Sequence, residues 1–411
     1  MDYFQYRNEE AWCEEVPLEK IAAEVGTPTF VYSKSTLIRH LEAMKKAFSH
    51  WETLPCFAVK SNSNLEVLRI IFSHGFGADI VSIGELKRSL IAGADPRQIV
   101  FSGVGKQDFE IKMALEHDIL SFNVESSFEL RHIAQAAKKM GKVASVSLRV
   151  NPNIDAKTNP KIATGMYSSK FGIVETEVRQ LVEEIKKSDS LCLVGVSCHI
   201  GSQITDLTPL REAARRMATL AKDLLSEGHE LKHVDMGGGL GITYKDEVAP
   251  ALDAYAQTLI EEIRDTGLRL LIEPGRVVVG NTGILLSRVI GVKQTAEKNF
   301  VVVDGAMNDL LRPSMYDSYH EILAVKNQER VMNCDIVGPI CETGDYFGKD
   351  RNMPAMDEGD LLYIRACGAY GAVMASNYNS RPRAAEVLVE GGRFQIVRSR
   401  ESYEQMWSAE L

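Results

Sequence analysis

This 411-residue sequence lacks an excess of basic charge, any long apolar run, and any pair of closely spaced cysteines. Lys and Arg number 47 against 56 Asp and Glu, a net charge of −9, so the broad cationic face that nucleic-acid binding requires is not expected. No apolar stretch approaches the roughly 18–20 residues of a membrane-spanning helix. The opening Met1-Asp2-Tyr3-Phe4-Gln5 has neither the basic nor the apolar region of a secretory signal, so a cytoplasmic protein is expected. The seven cysteines (13, 56, 192, 198, 334, 341, 367) are odd in number and contain no C-x-x-C, which argues against a disulfide framework or a structural zinc site. No metal site is expected. There is no low-complexity linker and no short-period repeat beyond the units described next.

Short apolar, β-branched runs alternate with helical stretches. CFAVK (56–60), GADIV (77–81), QIVFS (98–102) and ILSFN (119–123) start about 21 residues apart, a spacing that suits one strand plus one helix. ASVSLRV (144–150), LVGVSCH (193–199), LKHVDM (231–236) and LLIE (270–273) complete a set of eight. The gaps hold amphipathic helices: over 210–224, Leu210, Ala214, Met217, Ala221 and Leu224 share one face. A second such helix, 34–50, leads into the first strand. Eight β/α units predict a TIM-type (β/α)8 barrel over 29–280. From about residue 281 the texture turns to short strands and Gly, Asn and Pro turns (284–292, 300–304, 361–365, 385–389, 394–397), predicting a β-rich domain over 281–411. Residues 1–28 are expected to pack with that domain.

Polar residues gather where the predicted barrel strands end, the side on which barrel enzymes place their chemistry. Lys60 closes an apolar strand. Alone it reads as a solvated lysine; in a partly dry site it can form a Schiff base with an aldehyde. Gly237-Gly238-Gly239-Leu240-Gly241 follows the seventh strand and can bring backbone N–H groups to an anion, aided by a helix if one starts there. It is not the G-x-G-x-x-G dinucleotide pattern. Glu273-Pro274-Gly275-Arg276 follows the eighth strand, and the loops after strands 7 and 8 often form a phosphate site. Glu273 could accept a hydrogen bond from a protonated ring nitrogen. His199 could stack on a flat ring or be a structural histidine, and Ser202 could donate to phosphate. In the β-rich half, Cys341-Glu342 sets a thiol, a possible proton donor, beside a carboxylate. Arg312 is suited to bidentate carboxylate recognition.

With these segments in view, the chain resembles the fold-type III pyridoxal-phosphate decarboxylases. The resemblance rests on FAVKSN (57–62), RVNP (149–152), SSKFGI (168–173), HIGSQ (199–203), GGGLGI (237–242), EPGR (273–276), CETGD (341–345) and GAYGAVMASNYNSRP (368–382), in family order along essentially the whole chain. The last stretch is more similar to the branch acting on meso-diaminopimelate than to the ornithine or arginine branches. The resemblance implies pyridoxal 5'-phosphate as cofactor, held covalently by Lys60, with His199 on the ring and Glu273 on its nitrogen. It implies Asp79, Ser202, Gly238, Gly239, Gly275, Arg276 and Tyr370 as further cofactor contacts. Arg276, Arg312, Tyr316, Glu342 and Tyr370 are implied as substrate contacts, and Cys341 as proton donor. It also implies a homodimer with shared active sites, Cys341 and Glu342 reaching the neighbouring subunit. The activity so implied removes carbon dioxide from diaminopimelate and leaves lysine. Sibling decarboxylases for carboxynorspermidine, ornithine or another pathway amino acid, and a non-catalytic relative, are the alternatives. An alanine racemase shares barrel and cofactor but would need a tyrosine base where CETGD stands; an aldolase-type barrel would leave the β-rich half unexplained. The chain departs from the family pattern at Thr343, where serine is common, and over 159–165, which lacks a frequent His-Pro-Tyr run.

Overall fold

The computed structural model describes residues 2–411 except 157, 160, 163 and 168. Ser168 of the SSKFGI segment, and Pro160 and Ala163 of the departing run, therefore lie outside the described residues. The chain forms two compact units, one over Leu41–Ile242 and Val248–Arg276, the other over residues up to His40, Thr243–Glu247 and Val277–Leu411.

The first unit is a closed barrel. Its strands are β1 (Thr53–Ala58), β2 (Gly77–Ile80), β3 (Ile99–Phe101), β4 (Ser121–Val124), β5 (Ala144–Asn151), β6 (Leu191–Ser197), β7 (His233–Asp235) and β8 (Arg269–Ile272). Each pairs in parallel with the next, β8 returns to β1, and β4 joins β5 to close the ring. Every predicted barrel strand is present, its ends offset by at most three residues. Inside, Leu54, Cys56, Val100 and Leu271 form an apolar layer. The helix predicted over 210–224 spans Thr208–Ser226, and its apolar face, from Leu210 to Leu224, is buried.

The second unit is built on a nine-stranded sheet. Its longest strand, Gly283–Gln294, carries an irregularity between Val289 and Gly291 that lets it serve two sets of neighbours. Its first half pairs with Thr29–Ser33 and Leu361–Ile364, its second half with Asn299–Val303. Phe4, Ala11, Leu18, Ile21, Val31, Ile284, Leu286, Tyr363 and Val387 pack into one core, so the N-terminal segment shares the hydrophobic interior of this unit. The boundary differs from the expected one. Thr29–Ser33 hydrogen-bonds to Gly283–Leu286 on one side and Ala385–Val389 on the other, which draws residues 29–40 out of the barrel. Val331–Val337 and Tyr346–Pro354 are strands the sequence pattern did not predict: both leave several residues in solvent and carry charged or amide side chains that blur the apolar signal. Among the described residues no helix is long and apolar enough to cross a membrane.

Candidate active site

In the barrel unit the expected residues converge at the strand ends. Lys60 lies in a 3-10 turn, Val59–Ser61, just past β1 rather than in the strand, and forms an ion pair with Asp79 of β2. Asp79 is fully buried and its Oδ1 has no hydrogen-bond partner among the described residues, while 34% of the Lys60 side chain stays open. The pair therefore holds the ammonium at the edge of a dry interior.

Glu273 follows β8 and is tied by its own N–H to the carbonyl of Gly237 at 2.7 Å. Its Oε1 accepts from Asn123 Nδ2 at 3.2 Å and Ser102 Oγ at 3.4 Å. Asn123 Nδ2 also reaches Oδ2 of Asp235 at 3.3 Å, and Asp235 Oδ1 accepts the Gly237 N–H at 2.9 Å. Asp235 and Glu273 thus share the Asn123 amide, two carboxyl groups side by side in a dry interior where like charges disfavour ionising both. Burial and the negative charges of Asp235 and Asp79 push Glu273 well above the usual carboxylate range, against the opposing pull of Lys60 and Arg149. Asp235 is pushed up to about 6, chiefly by burial.

His199 lies two residues past β6. Its Nδ1 accepts the Gly238 N–H at 3.1 Å, which leaves the ring's proton on Nε2 and the imidazole neutral. Burial, together with the charges of Arg149 and Lys60, lowers its pKa well below the ordinary value.

The glycine loop is required by space. A Cβ on Gly238 would stand 2.2 Å from the Glu273 carbonyl oxygen, and one on Gly239 2.5 Å from that of Gly201. Gly239 also holds φ +117°, a region L side chains rarely adopt. No helix starts at this loop; the next one begins at Leu252, so the loop's anion affinity would come from backbone N–H groups alone. Gly275 packs its backbone against Ala58 and Ser61, each 3.1 Å from where a Cβ would lie. Beside it Arg276, buried, donates from Nη2 to Ser202 Oγ at 3.2 Å. Lys60, Asp79, His199, Ser202, Gly238, Gly239, Glu273, Gly275 and Arg276 thus belong to one unit.

The remaining expected residues belong to the β-rich unit. Arg312 and Tyr316 begin and end a short helix, Arg312–Tyr316. The Arg312 guanidinium is buried, with Nη1 donating to Tyr244 Oη at 2.9 Å and lying 3.0 Å from His320 Nε2. Cys341 and Glu342 are exposed. The Cys341 N–H reaches Asn379 Oδ1 at 3.3 Å, and Glu342 accepts from Tyr378 Oη at 2.8 Å. Tyr370 is half-buried and holds φ +57°, a costly backbone for a non-glycine residue of the kind found at functional sites. Sequence reasoning missed Asp235, Tyr244 and His320. For Asp235 a signal existed: an acid inside the apolar run LKHVDM, directly before three glycines.

Residues 34–280 match the family model described as pyridoxal-dependent decarboxylase, pyridoxal binding domain. A diaminopimelate decarboxylase from Neisseria meningitidis serogroup A is 51% identical over 97% of this chain and 98% of its own length. The crystal structure of diaminopimelate decarboxylase from Helicobacter pylori complexed with L-lysine superposes with a TM-score of 0.93 at 42% identity, covering 96% of this chain and 99% of that one. That of M. jannaschii in co-complex with L-lysine gives a TM-score of 0.96 at 35% identity, covering 100% and 98%.

Proposed function

The chain belongs to the pyridoxal-dependent decarboxylases, among the diaminopimelate decarboxylases, and from that membership we propose how its residues divide the work. The reaction is decarboxylation of meso-2,6-diaminopimelate to L-lysine and carbon dioxide, with pyridoxal 5'-phosphate as cofactor. The residues present fit that group. A lysine at the edge of a dry interior, a buried carboxyl, and a glycine cradle beside Arg276 and Ser202 offer an amine, a ring-nitrogen partner and an anion site in one barrel mouth.

When bound, the cofactor supplies an electron sink for the pair left behind by carbon dioxide. The protein does the rest. Lys60 anchors the cofactor and Asp79 orients its amine. The Gly239 N–H, with Ser202, Gly275, Arg276 and Tyr370, would hold the phosphate, while Gly238 lets the loop pass close to Glu273 and commits its own N–H to His199. His199, kept neutral and turned by its bond from Gly238, offers a flat uncharged face to the ring. Glu273 receives the ring nitrogen: its burial beside Asp235 disfavours a bare carboxylate, and a cationic N–H facing it removes that penalty. Arg276, Arg312, Tyr316 and Tyr370 bind substrate. Arg312 with Tyr316 takes the distal carboxylate and Glu342 the distal ammonium. Cys341 returns a proton to the carbon that loses carbon dioxide. Exposed and paired with an exposed carboxylate, Cys341 and Glu342 suit donation across a homodimer interface.

One observation carries this reading furthest: Lys60–Asp79, the Glu273–Asp235 pair and the glycine cradle stand together at the strand ends of one barrel. The test is to load the protein with pyridoxal phosphate, record its visible band, fix the cofactor with borohydride and map the modified peptide, then assay carbon dioxide and lysine from meso-diaminopimelate and from ornithine. Label on Lys60 with equal yields of carbon dioxide and lysine is expected, and turnover of ornithine alone would redirect the assignment to a sibling substrate.

A further inference from the structure

We propose that His320 and Tyr244 are positioning residues for substrate choice, locking the Arg312 guanidinium in the orientation that receives the distal carboxylate. The proposal rests on the role given to Arg312 above. His320 is completely buried, and its Nδ1 lies 2.8 Å from the carbonyl oxygen of Arg365. A carbonyl only accepts, so Nδ1 carries the proton and Nε2 presents a lone pair. That lone pair faces Arg312 Nη1 at 3.0 Å. The second hydrogen of Nη1 goes to Tyr244 Oη at 2.9 Å, and the Tyr244 ring lies 4.8 Å from the guanidinium carbon. Tyr244 and His320 meet edge to face at 5.2 Å, and Ser318 Oγ accepts from Nη2 at 3.4 Å.

Both hydrogens of Nη1 are thereby committed, and the plane of the fork is set. The two groups that set it are uncharged, so they orient the guanidinium without drawing on its charge. Carboxylate recognition by arginine depends on two parallel N–H bonds in one plane, so a fork free to rotate would lose the geometry before the charge. Tyr244 is delivered by Thr243–Glu247, a segment that follows the glycine loop in sequence yet belongs to the β-rich unit. Glu247 stiffens this segment by accepting the N–H groups of Tyr244 at 3.0 Å and Lys245 at 2.9 Å.

The experiment compares His320→Asn, His320→Gln and Tyr244→Phe in the cofactor-loaded protein. It measures kcat and KM for meso-diaminopimelate and equilibrium binding of L-lysine, which keeps the distal carboxylate, and of 1,5-diaminopentane, which has none. Asparagine can still donate to the Arg365 carbonyl but cannot reach Arg312; glutamine can place its oxygen where Nε2 was. His320→Asn should raise KM and weaken L-lysine binding about ten- to hundredfold, with kcat and 1,5-diaminopentane binding changing far less. His320→Gln should recover most of that loss, and Tyr244→Phe should weaken L-lysine selectively by about tenfold. Equal impairment of both ligands, or Gln as damaging as Asn, would reduce His320 to a structural role and overturn the proposal. If His320→Asn does not fold, Tyr244→Phe decides the matter alone. Arg312→Gln separates the two levels. Lost selectivity there with unchanged selectivity in the other variants sinks only the positioning role; unchanged selectivity in Arg312→Gln itself sinks the assignment on which it rests.

Discussion

The barrel and the β-rich unit present their chemistry in opposite styles. In the barrel, each proposed group is held by partners from neighbouring strand ends: Lys60 by Asp79, Glu273 by Asn123 and Ser102, His199 by the glycine loop. In the β-rich unit Arg312 is caged in the same manner, but Cys341 and Glu342 stand exposed, and Glu342 is bonded to Tyr378, itself exposed. Preorganised charge inside a dry site is worth more than in water, and it stays in place during reaction. An exposed thiol and carboxylate gain no such advantage in a single chain. The difference teaches that the barrel's groups are held ready by their own unit whereas Cys341 and Glu342 are not, the arrangement expected if the proton donor works across the proposed homodimer interface.

The largest test of that contrast is Lys60→Ala. It should remove the visible band of bound cofactor and lower turnover by roughly a thousandfold or more, checked by spectrum and carbon dioxide release. Glu273→Gln should follow, keeping the lysine linkage but reducing kcat by roughly a hundredfold or more, because a neutral amide cannot balance a protonated ring nitrogen. Cys341→Ala should leave cofactor affinity near wild type and lower kcat less severely, by about ten- to a hundredfold, since solvent can return a proton slowly. Mixing Lys60→Ala and Cys341→Ala subunits should then restore about a quarter of wild-type activity, because half of randomly paired dimers would carry one intact shared site out of two. No recovery on mixing would place both roles in one chain and erase the contrast.

How much of this was legible in the sequence follows the range of the signals. The barrel was legible because each strand is a short apolar run and the runs recur with a helix between them. Lys60, Glu273 and the glycines were legible because they sit where those runs stop. The cluster behind them was not: Asn123 on β4, Asp235 on β7 and Glu273 just past β8 meet only when the ring closes. Thr29–Ser33 reads as an approach to the barrel, yet it finds its hydrogen bonds in the other unit's sheet. Tyr244 is hidden for the same reason, since its five-residue segment leaves the barrel and returns without a change of composition. His320 sits only eight residues from Arg312, but no periodicity marks a bond made across an irregular turn.

The smallest expected effect concerns Asp235 and reads the barrel's interior without any catalysis. Its carboxyl is pushed up to about 6, against about 3.9 in an unfolded chain. A carboxyl raised on folding favours the native state while protonated. That contribution is complete below about pH 4 and is lost as pH rises through about 6. Glu273, also raised, extends the loss to higher pH. The charged groups facing the pair are Asp79, Lys60 and Arg149; Cys56, Cys198 and Tyr255 are all pushed up by burial and add no charge in this range. Cofactor-free protein should therefore lose thermal stability between about pH 4 and 7 more steeply than an Asp235→Asn variant, whose midpoint should change by a few degrees less across that range. Parallel profiles for the two proteins would mean that Asp235 ionises as freely as a surface carboxyl. The barrel mouth would then be no more preorganised than the exposed carboxylate of Glu342.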